Sequence, residues 1–238
     1  MKQRLLLALL MLLTSAGVMK VDGQTIVLAQ TDQEETVTVT FTSSEKTFVG
    51  DNVTGKTASY PKIGSDVPVV SPDGSTASYT FKTKTDGSTT LLINNAVPTT
   101  SWGGISLTIE GKVNQFITTK ENLPFVETIT YLKILSTELT DLNLAYASKL
   151  LELNVSGCTK LATINNIASA SQLATLNASG CGFVKLMNIS SLAGLKVLNL
   201  SYNQLEGFTG SFPTSLETVD LSGNKLNITE NPWNLTSL

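Results

Sequence analysis

The chain has 238 residues, with 16 lysine or arginine and 19 aspartate or glutamate side chains and a formal charge of −3. This mildly acidic balance gives no electrostatic footprint for nucleic acid or anionic lipid. Histidine is absent, which removes Ser-His-Asp, Cys-His and histidine-based metal chemistry, and no cofactor is expected.

At the N-terminus, Lys2 and Arg4 precede an apolar run from Leu5 to Leu13, followed by the small residues Ser15, Ala16 and Gly17. Such a run is too short to span a bilayer and reads as a secretory signal peptide over residues 1–23, with cleavage before Gln24 favoured over cleavage after Ala16 or Gly17. The expected location is extracellular or cell surface, with the periplasm open. No cysteine lies near the cleavage site, so a bacterial lipid anchor is not expected, and no later apolar run is long enough for a transmembrane segment. Loss of Lys2, Arg4, Lys20 and Asp22 with the leader takes the formal charge from −3 to about −5.

Residues 24–122 are rich in Thr, Ser, Val and Gly and read as a β-rich N-terminal domain. Alternation at Val37–Phe41 and Tyr79–Thr83 predicts strands, and Asp86-Gly87 before Thr90–Ile93 predicts a hairpin. Val67–Val70, Ile105–Glu110 and Val113–Thr118 are further strand candidates, which together suggest a small antiparallel sandwich. Val113, Phe116 and Thr118 could equally form a degenerate capping repeat. Within this region Gly50-Asp51-Asn52-Val53-Thr54-Gly55-Lys56-Thr57 matches the phosphate-loop string, but Pro61 and Gly64 follow where a helix would have to start, so a glycine-rich turn is expected.

From Ile129 one phrase recurs five times, at intervals of 21, 23, 22 and 21 residues: ITYLKILSTEL from Ile129, LLELNVSGCTKL from Leu150, LATLNASGCGF from Leu173, LKVLNLSYNQL from Leu195 and LETVDLSGNKL from Leu216. Leu132, Leu153, Leu176, Leu198 and Val219, with Ile134, Val155, Ala178, Leu200 and Leu221 two places on, alternate with exposed residues as half-buried strands do. The ninth position holds Thr137, Cys158, Cys181, Asn203 and Asn224, a structural ladder expected to bond backbone groups as the chain leaves each strand. Apolar residues return at Leu139, Leu161, Phe183, Leu205 and Leu226. One return leg, Phe183–Leu195, has helix-like spacing; the others read as short or irregular. The period is that of a leucine-rich-repeat solenoid over residues 123–238.

These runs resemble the secreted leucine-rich-repeat proteins of Bacteroidota and relatives, whose repeats carry an L-D/N-V/L-S-x-C/N-x-x-L phrase. The resemblance covers about half the chain and implies extracellular or cell-surface binding without fixing the ligand; the missing catalytic constellation makes a non-enzymatic protein the expectation. The first repeat departs from the pattern at Thr137. The expected fold class is therefore mainly β: a β-sandwich-like unit followed by a solenoid with a parallel sheet.

Ligand binding, if the solenoid performs it, falls to the exposed strand columns. One is Tyr131, Glu152, Thr175, Val197 and Thr218; the next is Lys133, Asn154, Asn177, Asn199 and Asp220; a third is Leu135, Ser156, Ser179, Ser201 and Ser222. Interaction hot spots are usually aromatic or arginine residues, and only Tyr131 and neighbouring Tyr202 qualify. The Asn and Ser columns read equally well as solvent-side repeat chemistry, and the Asn-x-Ser sequons within them as its by-products. A protein partner for adhesion is the leading expectation; a glycan-capture component and a structural spacer are the alternatives. Cys158 and Cys181 share one ladder position, near enough for a disulfide, but read as buried thiols. Glu152, Glu217 and Asp220 are scattered and form no carboxylate pair. Leu235–Leu238 resembles the start of a sixth repeat, which suggests a fragment of a longer protein.

Overall fold

Alternation of Val, Ile, Leu and Phe with Thr and Ser builds every long strand of the molecule, because side chains of a strand point to opposite faces in turn. A computed structural model describes residues 24–94, 104–118, 129–207 and 212–227; residues 1–23, read above as a signal peptide, and Leu235–Leu238 lie outside them. The first strands are β1 (Gln24–Leu28), β2 (Thr36–Ser43), β3 (Lys62–Ile63), β4 (Val69–Val70), β5 (Thr76–Lys82), β6 (Thr89–Asn94), β7 (Ile105–Glu110) and β8 (Val113–Ile117). Then come β9 (Ile129–Leu135), β10 (Asp141–Asn143), β11 (Glu152–Asn154), β12 (Ile164–Asn165), β13 (Thr175–Asn177), β14 (Val197–Asn199) and β15 (Thr218–Asp220). In β2, Val37, Val39 and Phe41 are fully buried while Thr36 and Thr42 face solvent.

The strands form two sheets, ordered β12-β10-β8-β1-β6-β3 and β15-β14-β13-β11-β9-β7-β2-β5-β4. In the order given, each sheet starts with parallel pairs and ends with antiparallel ones. The change falls at β7 and β8. β7 pairs antiparallel with β2 and parallel with β9, and β8 pairs antiparallel with β1 and parallel with β10. The segment β7–β8 therefore closes the sandwich and also forms the first coil of the solenoid, which unites the two readings of Val113–Thr118. Gly111 turns the corner between them at φ 123°, where an added Cβ would lie 2.7 Å from the Thr36 carbonyl oxygen. One contiguous core runs from Ile26 to Leu216 through both regions.

The fold is mainly β with a parallel solenoid sheet and irregular return legs. Several local expectations are corrected. The predicted hairpin at Asp86-Gly87 is absent: β5 lies in the nine-stranded sheet and β6 in the six-stranded one, so the dipeptide turns the chain between sheets instead of within one. Strand Val67–Val70 shortens to Val69–Val70, and β1 and β3 add strands that the pattern did not reveal. The Phe183–Leu195 leg contains no helix; its apolar spacing arises because Phe183, Ile189, Leu192 and Leu195 each turn into the core from successive bends. The one helical turn among the described residues is a 3-10 turn at Ile167–Ser169. In the last repeat, Val219 and Leu221 are half-buried rather than enclosed.

Candidate recognition face

The parallel pairing puts the strand columns in register across the sheet. Tyr131 faces Glu152, which faces Thr175, then Val197, then Thr218; Lys133 leads through Asn154, Asn177 and Asn199 to Asp220. Neighbouring members lie about 4.8 Å apart by strand spacing. The rows do not stop at the first repeat. Ser106 pairs with Tyr131 and Thr108 with Lys133, and these continue to Thr42 and Thr40 on β2 and to Thr76 and Ser78 on β5. The outer side of the nine-stranded sheet is thus one hydroxyl- and amide-rich surface that spans both regions of the molecule.

The asparagine column has a structural task. Asn154 Oδ1 accepts the Ser156 N–H at 3.0 Å and the Ser156 hydroxyl at 2.8 Å. Asn177 does the same for Ser179 at 3.2 and 2.9 Å, and Asn199 for Ser201 at 3.0 and 2.7 Å. In the last repeat Asp220 accepts the Ser222 N–H at 2.9 Å. Each pair is an Asx turn that bends the chain out of its strand. The backbone N–H of Ser222 is the main reason that the Asp220 carboxyl is held below its ordinary range. The sequons therefore follow from turn chemistry. The first column carries no such duty, and Val197 is 36% exposed within it.

The ladder lies beneath this face. Cys158 Sγ donates to the Ile134 carbonyl at 3.3 Å and Cys181 Sγ to that of Val155 at 3.1 Å. Asn203 Nδ2 reaches the Ala178 and Leu200 carbonyls at 2.8 and 2.9 Å, and its Oδ1 accepts the Phe183 N–H at 3.1 Å. Asn224 repeats this with Leu200, Leu221 and the Leu205 N–H. Each ladder residue grips the strand end of the repeat before it. Thr137 is the exception and is a correction: its side chain is exposed, and the preceding Ser136, 5% exposed, takes the buried role. The Ser136 hydroxyl donates to the Val113 carbonyl at 2.9 Å and accepts the Val113 N–H at 2.8 Å. It links the first repeat to the coil before it. Both cysteines are buried thiols. Burial pushes Cys158 up, and burial with the neighbouring Cys158 pushes Cys181 up to about 12.

Backbone conformation separates the repeats at their eighth position. Gly157, Gly180 and Gly223 adopt φ values of 77°, 63° and 69°, and Tyr202 adopts 55° at the equivalent place. A left-handed backbone is natural for glycine and strained for tyrosine.

The phosphate-loop string occupies turns and bends from Gly50 to Thr57, with short extended segments following it and no helix. It lines a cleft of about 440 Å³ with Lys46, Val67, Val69 and Asp73. Of the charged groups there, Lys46 pairs with Asp73 at 3.2 Å and Asp51 accepts the Tyr60 hydroxyl at 2.7 Å, while Lys56 also lines the cleft on a bend with no helix N-terminus behind it. Among the described residues no cluster of histidine, cysteine, aspartate or glutamate could hold a metal, and no helix is long and apolar enough to cross a membrane.

Two stretches, residues 194–217 and 215–238, match the Leucine Rich Repeat family. These are the two clearest copies of the phrase. The three earlier repeats, outside the matched stretches, stack on the same sheet in the same register. No curated protein matches the chain.

Proposed function

We propose that the protein is an exported, non-enzymatic recognition module that binds a partner protein on the outer face of its nine-stranded sheet. The leucine-rich repeats support an interaction module, and the carrying observation is the continuous, in-register face formed by β5, β2, β7 and the solenoid strands. The basic residues Lys2 and Arg4 ahead of the apolar run support export. A neutral glycan is a second reading, favoured by the Asn column, whose side-chain N–H groups take no part in the Asx turns and recur at strand spacing, whereas the Ser hydroxyls are committed to those turns and Ser201 is buried.

The test is a binding comparison of residues 24–238 against extracellular-matrix proteins and a glycan array. Thr175→Arg and Val197→Arg alter the face without removing an Asx turn, whereas substitutions at Asn177 or Asn199 would also loosen the fold. Binding lost in both variants and kept in Gln115→Arg, on the six-stranded sheet, supports the proposal; binding unaffected by either, or no binding at all, makes the repeats a spacer.

A further inference from the structure

Among the described residues, Tyr202 has the second most exposed large apolar side chain, at 73%. It holds the left-handed backbone that the equivalent positions give to Gly157, Gly180 and Gly223. A non-glycine residue in this conformation costs stability, and such strain persists where the surroundings impose it or where the side chain is used. The repeat turn imposes the conformation, since Gly157, Gly180 and Tyr202 each donate their N–H to the next repeat at 2.8 Å, but packing gives the tyrosine ring no role, because it lies in solvent. The next repeat makes room for it: an added Cβ at Gly223 would come within 2.7 Å of Tyr202 Cδ1 and 3.1 Å of Cε1. The ring therefore lies across Gly223 as an exposed platform at the end of β14. Tyr146 shares the positive φ, at 71°, but follows β10 of the opposite sheet and is 41% exposed.

A carboxylate lies at the same corner. Tyr202 N–H donates to the Ser222 carbonyl at 2.8 Å, and Asp220 Oδ1 accepts the Ser222 N–H. Asp220 faces Asn199 across the β14–β15 pair. Its column otherwise holds Lys133, Asn154, Asn177 and Asn199, so the fifth repeat keeps the turn-capping geometry and adds a negative charge. Of the other charges nearby, Lys196 is paired with Glu217 at 3.0 Å and Lys225 approaches Gln204 at 3.5 Å. An exposed aromatic ring after β14 and a carboxylate on the adjacent strand β15 together complement a guanidinium or ammonium group, which stacks on the ring and pairs with the acid. The chain has no arginine after Arg4, so it cannot supply the cationic half of such a contact with that residue itself.

We propose that Tyr202 and Asp220 form the binding hot spot of this face and seat an arginine or lysine side chain of the partner protein. The proposal rests on the recognition reading above. The experiment uses residues 24–238 against immobilised fibronectin, laminin and fibrinogen, each with its arginine and lysine side chains free or chemically blocked. Asp220→Asn installs the residue that the second, third and fourth repeats already carry, so the turn survives and only the charge is lost. Tyr202→Gly installs the residue preferred by the backbone. Both variants should keep or raise the Tm while weakening binding about tenfold, as loss of a hot-spot side chain does. Blocking the probe's cationic side chains should match that loss, and Tyr202→Phe should stay within about twofold of wild type because the ring is kept. Wild-type binding that survives both substitutions overturns the hot spot. So does a loss of binding accompanied by a lower Tm, which makes the residues structural. Failure of the wild type to bind any of the three probes overturns the recognition reading itself, and this inference with it.

Discussion

The second and third repeats carry Cys158 and Cys181 on the ladder; the fourth and fifth carry Asn203 and Asn224. All four donate to a carbonyl at the strand end of the preceding repeat. They differ in what the preceding return leg requires. The Leu139 N–H bonds the Ser136 carbonyl and the Leu161 N–H bonds that of Cys158, so both are paired in local turns and a thiol is enough. The Phe183 and Leu205 N–H groups instead bond Asn203 Oδ1 and Asn224 Oδ1. Cysteine donates weakly and accepts poorly, whereas asparagine does both well. The ladder residue thus reports the turn of the repeat before it, a dependence that inspection of single repeats cannot reveal.

The largest test of this contrast is Asn203→Ala. It strips the Phe183 N–H of its acceptor and removes the donor to Ala178, and should cost roughly 3 kcal/mol or more in denaturant unfolding; a cost near that of a cysteine substitution would erase the distinction. Ser136→Ala should cost about 2–3 kcal/mol because both Val113 backbone groups lose their partner, while Thr137→Ala should stay within about 0.5 kcal/mol. Equal effects would return the ladder role to Thr137. Cys158→Ala should cost about 1–2 kcal/mol, one weak donor and a small cavity.

Alkaline stability sharpens the contrast further. A thiol whose folded pKa is raised contributes stability below its unfolded pKa and loses that contribution as pH climbs toward the folded value. For Cys181 the window runs from 9.0 to about 12. Unfolding free energy should decline across that range, and the double variant Cys158→Ala, Cys181→Ala should show a shallower decline; identical slopes would assign the loss to other groups. Gly157→Ala should cost only about 1 kcal/mol in denaturant unfolding, because open space surrounds the site and only the positive φ resists a side chain.

The sequence alone carried the period, the buried strand positions and the aromatic candidates Tyr131 and Tyr202, because alternation and spacing are local consequences of the pleat. It also carried the strands β2, β5, β6, β7 and β8 to within a few residues, for the same reason. Pairing was beyond it. Asp86-Gly87 looked like a hairpin because a dipeptide records that the chain turns and not which sheet receives the next strand. Phe183–Leu195 looked helical because a bent leg around a core can repeat the spacing of a helix. Thr137 was chosen by counting along the repeat, whereas Ser136 was placed by Val113, 23 residues away in the chain. Nor could the columns disclose that Asn177 and Asn199 are committed to turns, or that the outer face of the solenoid sheet continues across β7 onto β2 and β5. Local periodicity determined which residues face the core and which face solvent. The tertiary structure decided which strands lie side by side, which backbone groups need partners, and which exposed side chains remain free to meet a partner, because those outcomes depend on residues far apart in sequence that only the closed core brings together.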